Sequence, residues 1–424
     1  MIFLIVLLMI VLIIVGMPVA FALGLSSLVY LVIEGVDLGM VAQSMVRGVD
    51  SFTLLAVPFF LLVGELMNSG GITNRIIDVA RVIVGHIKGG LAQVNILASV
   101  LFSGISGSAT ADTVALGSVL IPSMEREGYD KKFAAAITAA SSIVGPIIPP
   151  SITLIIFGIV TQQPIGPLLI AGIVPGALLA ISLMIYTYFI AAKRGYPKYK
   201  RATFKEARSA VSSGFLALLL PIIIVVGIVS GVFTPTESAA IAVLYGIIVT
   251  FFYYKNVNLK SFVGILKKSS FDTANILFTL AAATVFAWVV TMSKISEKLG
   301  DLILSISTNE YIILTLMVIF MLIIGLFMLP SEAIIVFAPI LTPIVMQVGV
   351  DPIHFGVLMV LTLTIGGATP PVGIMLYIVA DIAKLRYTKL VKEILPMYIP
   401  LVATAFIIAF VPSLTLFIVD LFFE

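Results

Sequence analysis

A set of glycines and prolines recurs along this chain at one spacing, and any fold must accommodate it. Pro122 and Pro343 lie 221 positions apart, and the same shift pairs Gly104 with Gly325, Gly128 with Gly349, Asp130 with Asp351 and Gly145 with Gly366. It also superimposes Pro149-Pro150 on Pro370-Pro371, with no gap between Gly104 and Pro150. Proline is only 21 of 424 residues, so three proline coincidences in that window are not a chance alignment. The chain therefore carries an internal repeat, and each copy is a separate structural unit.

Composition decides the solvent. Hydrophobic residues make up 61% of the chain and charged residues 11%, where a soluble domain carries roughly 25% charged. Apolar runs of about 20 residues, enough to cross a bilayer core, recur from end to end. An all-α polytopic membrane protein is expected. The first run begins at Ile2 without a basic segment before it or a small-residue cleavage site after it, so it is expected to be a retained span. The absence of cysteine excludes disulfides and thiolate metal sites. The formal charge of +3 resides in loop lysines and arginines, and no nucleic-acid partner is expected.

Basic residues mark the cytoplasmic side of a membrane protein. The strongest cluster, Lys193 to Arg208, predicts a cytoplasmic linker between two halves. Upstream of it, residues 166–191 and 133–160 form spans. Residues 91–122 have cytoplasmic flanks on both sides but are too short for two full crossings. They predict a re-entrant hairpin with its tip at Ser103–Thr110. Residues 72–88 suit an interfacial helix, 53–68 a span, and 2–33 one or more segments around Pro18. Downstream, 211–232, 237–254 and 270–290 cross, 292–308 is a second interfacial helix, and 311–345 is a second hairpin entering from outside. Residues 353–380 and 394–420 complete the chain. Charge map and repeat together predict two copies of opposite orientation, joined by an extra span near 211–232.

In hydrocarbon each unpaired backbone group costs several kcal/mol, so irregular backbone persists there only where it lines a cavity or binds something. Four such points are expected. Two are the hairpin tips, Ser103–Thr110 and Gly325–Ser331. Two are interruptions, Val144–Ser151 and Ile365–Pro371. Proline frees the carbonyl four residues back, and bare carbonyls beside hydroxyls suit a cation such as Na⁺ in a secondary transporter. The same breaks point helix N-termini at the membrane centre, where they attract anions. No lysine or arginine occurs in these segments. An anionic substrate is thus expected on the helix ends and on Ser106, Ser108, Thr110, Ser151 and Ser331. Asp112 and Glu332 flank the tips, and ionisable residues at membrane depth are functional candidates. Pro58 and Pro221 are expected to be kinks, His86 and His354 loop or interface residues, and Glu237 a helix cap.

At these motifs the chain resembles the large membrane subunit of tripartite ATP-independent periplasmic (TRAP) transporters, the DctM-like family. The matching residues are Ser106-Gly107-Ser108, Ala111-Asp112, Gly117, Ile121-Pro122, Gly128-Tyr129, Ala134-Ala135-Ala136 and Ile148-Pro149-Pro150-Ser151. Pro235-Thr236-Glu237 and Gly366-Gly367-Ala368-Thr369-Pro370-Pro371 continue the pattern. The resemblance implies Na⁺-coupled import of an organic acid, with C4-dicarboxylates or sialic acid as candidates, across a bacterial inner membrane by an elevator motion. It implies a small four-helix membrane subunit and a periplasmic substrate-binding protein as partners. It implies one sodium site of Ser103 and Ser106 with carbonyls near Val144, Gly145 and Pro149, and another of Gly325, Met328, Gly366 and Thr369. On this reading residues 1–90 are scaffold with an interfacial helix, 91–160 half of a transport body, 161–310 scaffold and linker, 311–380 the other half, and 381–424 a final span.

Two other functions fit parts of the pattern. Gly104-Ile105-Ser106-Gly107 matches the GxSG motif of intramembrane serine proteases, but such a serine needs a base in reach, and both histidines are expected at membrane edges. A proton-coupled or antiporting carboxylate carrier without a binding protein would use Asp112 and Glu332 as its titrating groups.

Overall fold

The computed structural model describes residues 2–423, and no strand occurs among them. Helices α1 (Ile2–Ile14) and α2 (Val19–Ile33) divide the first apolar run at Pro18. Then come α3 (Gly39–Val49), α4 (Ala56–Ser69) and α5 (Ile72–Val84). Helix α5 is amphipathic, burying Ile72, Ile76, Val79 and Ala80 and exposing Asp78 and Arg81. The first hairpin is α6 (Gly90–Ser106) and α7 (Ala109–Arg126). The first broken helix is α8 (Lys131–Ser141), a 3-10 turn at Ser142–Val144, an irregular stretch, and α9 (Ile152–Thr161). Helices α10 (Ile165–Ala171) and α11 (Ile173–Arg194) lead to the basic linker.

The second half repeats the order. Helices α12 (Phe204–Val229), α13 (Pro235–Ile247, continuing as a π-helical turn at Ile248–Tyr253), α14 (Leu259–Met292) and α15 (Ile295–Ile306) precede the second hairpin, α16 (Glu310–Gly325) and α17 (Pro330–Met346). The second broken helix is α18 (Pro352–Gly367) and α19 (Ile374–Ile382), followed by α20 (Tyr387–Ile394), α21 (Tyr398–Phe410) and α22 (Ser413–Phe423). Helix α12 precedes α13 as α1 precedes α2, and each pair packs together, so α12 has a counterpart in the first half.

The repeated residues have the same structural duties in both copies. Gly128 and Gly349 both turn the chain at positive φ, 87° and 86°, a region glycine enters without steric cost. Asp130 and Asp351 then cap the broken helices. Asp130 accepts from the Lys132 N–H at 2.9 Å and Asp351 from the Ile353 N–H at 2.7 Å, satisfying donors the first turn leaves free. Both Pro-Pro pairs, Pro149-Pro150 and Pro370-Pro371, contain a cis peptide bond. Glu237 is the expected cap: its Oε2 accepts from the Thr234 N–H at 2.8 Å in a capping box that starts α13.

Among the described residues, six helical segments are long and apolar enough to cross a membrane. The hairpin arms are shorter. Helix α6 has 17 residues, about 25 Å at 1.5 Å per residue, against a hydrocarbon core of about 30 Å. Packing is exchanged between the copies: α7 lies on α19 while α17 lies on α9, and α4 lies on α13 while α2 lies on α14. One group of helices joins α1–α4 to α12–α14. The other joins both hairpins and broken helices to α11 and α21, since α11 packs on α6 and α21, and α21 on α16 and α18.

His354 lies not in a loop but in the first turn of α18. It is fully buried on α18, and its Nδ1 lies 2.7 Å from the Thr415 hydroxyl of α22. His86 is half-buried in the turn after α5, as expected of an edge residue. Pro221 lies inside α12 and Pro58 in the first turn of α4.

Candidate functional site

A cavity of about 720 Å³ lies between the two helix groups. From one side the hairpin tips supply Ser106, Ser108, Thr110, Met328, Ser331 and Glu332. The breaks add Pro146 and Gly367, and α2, α4 and α14 form the opposite wall. Tips that are far apart in sequence thus meet at one space.

The first tip is built by its glycine and serines. Helix α6 stops at Gly107, which adopts φ 59°. Ser108 then starts α7, its Oγ accepting from the Ala111 N–H at 3.4 Å and lying 3.1 Å from the Thr110 hydroxyl. A methyl group on Gly107 would sit 2.5 Å from the Pro150 carbonyl oxygen, so tip and break touch there through backbone. The Pro149 carbonyl faces Gly104 in the same way, 3.7 Å from where a Cβ would stand. The Ser106 hydroxyl donates to the Asp112 carboxylate, whose Oδ1 it contacts closely, and the Ser108 N–H donates to Ser106 at 3.2 Å.

Asp112 is fully buried, and its Oδ2 has no hydrogen-bond partner among the described residues. That oxygen points at Gly145, where a Cβ would come within 2.5 Å of it. A carboxylate in this position normally has a cation or donor beside it, because burying an unpaired charge is costly. Ser103, also buried, donates to the Val100 carbonyl at 2.6 Å. Ser151 donates to the Pro146 carbonyl and accepts from the Leu154 N–H at 3.0 Å, capping α9. Asp112, Ser103 and Ser151 therefore stand behind the cavity wall, whereas Ser106, Ser108 and Thr110 line it. Val144 is partly engaged already, its carbonyl accepting from Ile147 at 3.1 Å and Ile148 at 3.2 Å.

The second tip and break meet backbone to backbone. A methyl group on Gly366 would lie 2.7 Å from the Gly325 Cα, and one on Gly325 would lie 2.5 Å from the Leu363 carbonyl oxygen. Thr369 donates to the Ile365 carbonyl at 2.7 Å, and Tyr398 of α21 donates to the Ala368 carbonyl at 2.5 Å. Met328 is nearly buried at the tip, and Ser331 and Glu332 open α17 beside it. The structure thus brings Gly325 against Gly366, whose carbonyl accepts from the Thr369 N–H at 2.8 Å, and sets Asp112, held by Ser106, against Gly145.

The opposite wall carries groups that sequence reasoning passed over. Lys268 of α14 faces the cavity and pairs with Glu65 of α4 at 2.7 Å, with Asp272 one turn further along α14. The expected span began at residue 270, so Lys268 read as a flanking loop lysine. Helix α14 starts at Leu259 and carries it into the fold. Glu65, an ionisable residue inside an apolar run, was the available signal.

The sequence profile described as "Tripartite ATP-independent periplasmic transporter, DctM component" matches residues 6–414. The chain is 43% identical over 408 residues to the sialic acid TRAP transporter large permease protein SiaM of Vibrio cholerae, covering 96% of each chain. It is 36% identical to the 2,3-diketo-L-gulonate TRAP transporter large permease protein YiaN of Escherichia coli, covering 94% of each. It is 33% identical to the C4-dicarboxylate TRAP transporter large permease protein DctM of Rhodobacter capsulatus, covering 96% of each. Among solved structures, the Alcanivorax borkumensis YdaH transporter has a similar fold, with a TM-score of 0.60 and 15% identity over 88% of this chain and 87% of that one.

Proposed function

The chain belongs to the TRAP transporter family as its DctM-type large permease component, and from that footing we propose that it imports an organic acid anion into a bacterial cell, driven by Na⁺. Its place would be the inner membrane, beside a small membrane subunit and supplied by a periplasmic binding protein, the other two parts of a tripartite system. Sialic acid, diketogulonate and C4-dicarboxylates, named for its relatives, are the candidate cargoes.

The observation that carries Na⁺ coupling is Asp112. A fully buried carboxylate with one free oxygen, aimed at a broken helix, fits a cation as its partner. The Ser106 hydroxyl on its other oxygen and the backbone of the break at Gly145 would supply further hard oxygen ligands, the chemistry a coupling cation takes at broken helices. The second junction, Gly325, Gly366 and Thr369 with Met328 near by, offers carbonyls and one hydroxyl but no formal charge. The anion itself would rest on the tips, at Ser106, Ser108, Thr110 and Ser331, near the N-termini of α7 and α17.

The two helix groups suggest the motion. The hairpins and broken helices with α11 and α21 would form one body, which takes α11 out of the scaffold expected over 161–310, and α1–α4 with α12–α14 would form the other. An elevator would slide the first along the second with the inverted copies exchanging roles, and α5 and α15 would serve as arms. The same free oxygen of Asp112 would equally accept a proton, so a proton-coupled carrier is the second reading.

Uptake into proteoliposomes tests both. The permease would be reconstituted with and without its small subunit and binding protein, with a panel of carboxylates and with a Na⁺ or a pH gradient. Uptake that requires Na⁺ and the binding protein is the expected result. Uptake driven by pH alone, without the binding protein, would establish the second reading instead.

A further inference from the structure

We propose that a groove between α12 and the end of α13 binds an anionic phospholipid, its phosphate held by Arg208 and an acyl chain laid over Phe215. The groove has a volume of about 350 Å³ and is lined by Arg208, Val211, Ser212, Phe215, Leu216 and Tyr253. It shares no residue with the cavity at the hairpin tips, so the inference does not rest on the transport reading.

The two walls are tied together behind the groove. The Tyr245 hydroxyl donates to the Leu216 carbonyl at 2.8 Å, and the Tyr254 hydroxyl donates to the Ser213 carbonyl at 3.1 Å. The Arg75 guanidinium lies 3.8 Å over the Tyr254 ring. Helix α13 ends there in its π-helical turn, where the Tyr254 N–H reaches back to the Val249 carbonyl at 2.8 Å. Tyr254 is thus buried against α12, while its neighbour Tyr253 is exposed and lines the groove. Turns of this kind recur at functional sites.

The chemistry of the groove is graded along α12. Arg208, Ser212 and Phe215 recur at four- and three-residue intervals and share one face. Arg208 precedes the apolar run, at the end that basic residues mark as cytoplasmic. Phe215 lies two turns further on, about 10 Å deeper. The guanidinium and the Ser212 and Tyr253 hydroxyls therefore stand at the edge of the bilayer, and Phe215 and Leu216 within it. None of the three polar groups has a hydrogen-bond or ion-pair partner among the described residues. Val211 and Phe215 are exposed beside them.

Charge identifies the occupant. Residues 201–215 and 253–268 contain Arg201, Lys205, Arg208, Lys255, Lys260, Lys267 and Lys268, against the single acid Glu206. Glu206 is committed to the Thr203 capping box, accepting from the Thr203 N–H at 2.7 Å and its hydroxyl at 2.8 Å. A phosphate would find a planar guanidinium that can donate two parallel hydrogen bonds, with two hydroxyls close by. A headgroup ammonium would find no free carboxylate on either wall. Basic pockets on the cytoplasmic side attract anionic headgroups in this way. An apolar helix of the small subunit fits less well, because it would strip water from an unpaired guanidinium.

The test is lipid binding to the delipidated permease in complex with its small subunit, read by native mass spectrometry and by thermal midpoint. The probes are phosphatidylglycerol, phosphatidylethanolamine and soluble glycerol 3-phosphate. Phosphatidylglycerol is expected to bind at about 10-fold lower concentration than phosphatidylethanolamine, and glycerol 3-phosphate to leave the midpoint unmoved. Arg208→Gln should weaken phosphatidylglycerol by about 10-fold to 100-fold, the value of a hydrogen-bonded contact to a charged group. Arg208→Lys should recover part of the loss. Ser212→Phe, which fills the groove without changing charge, should weaken binding as well, whereas Arg201→Gln, outside the groove, should not. Each variant's lipid-free midpoint and elution profile check its folding. Equal binding of the two lipids, or unchanged phosphatidylglycerol binding in folded Arg208→Gln and Ser212→Phe proteins, would overturn the inference. Stabilisation by glycerol 3-phosphate equal to that by the lipid would make the groove a site for soluble anions and overturn it too. Binding to the isolated permease that disappears in the complex would assign the groove to the small subunit instead.

Discussion

Gly366→Ala should weaken Na⁺ binding without dismantling the fold. The added methyl would stand 2.7 Å from the Gly325 Cα, 2.8 Å from the Leu322 carbonyl oxygen and 2.9 Å from the Gly325 carbonyl carbon. All three are backbone atoms, so no flexible side chain can swing aside. Carbon atoms settle at about 3.5–4.0 Å, so α16 and α18 must separate locally by about 0.8 Å or more. Overpacking of this kind costs about 1–3 kcal/mol. If Na⁺ binding requires the closed junction, that cost appears as a loss of affinity of about 5-fold to 150-fold. The assay is the Na⁺ concentration giving half-maximal uptake in proteoliposomes, paired with Na⁺-dependent thermal stabilisation of the purified protein. Both should shift together. A variant that transports with an unchanged Na⁺ half-saturation would show that the junction is packing alone, and would refute the second sodium site.

Other substitutions separate the remaining roles. Ser106→Ala removes the donor to Asp112 and a proposed ligand; Na⁺ dependence should weaken, and unchanged Na⁺ affinity would count against the first site. Gly145→Leu drives a side chain into the Asp112 carboxylate, so uptake should vanish while protein remains in the membrane; normal uptake would reduce the break to a kink. Thr415→Val deprives His354 of its 2.7 Å partner, which should lower stability by about 1–3 kcal/mol. Uptake per folded molecule should be unchanged there, and a loss would place His354 in the transport cycle.

The repeat was legible because glycine, proline and capping aspartate have backbone duties that tolerate few substitutes. Gly128 and Gly349 turn, Asp130 and Asp351 cap, and the hairpins and breaks follow at the expected positions. Helix ends were less legible where apolar residues continue past them. The run 166–191 divides at Gly172 into α10 and α11, and the last run divides into α21 and α22 near Pro412. Burial was least legible. His354 looked peripheral by its flanks, and Lys268 looked like a loop residue because a lysine in the third turn of a long membrane helix is indistinguishable in sequence from one before it. Only packing against α4 and the cavity separates those cases.

The two junctions also differ in a way the repeat conceals. At the constant offset Gly104 maps to Gly325 and Gly145 to Gly366, so both copies keep the close approach of tip to break. The chemistry around that approach is not kept. Ser103, Ser106 and Asp112 map to Ile324, Phe327 and Ala333. The first copy thus closes its junction with a hydroxyl and a buried carboxylate, and the second with glycine backbone and the Tyr398 hydroxyl on Ala368. A cation at the first junction would neutralise a fixed charge of the protein. At the second it would meet only dipoles, leaving its charge to be balanced by the bound anion. On that argument occupancy of the second site should depend on the substrate far more than occupancy of the first, and removing Asp112 as Asp112→Asn should make both depend on it.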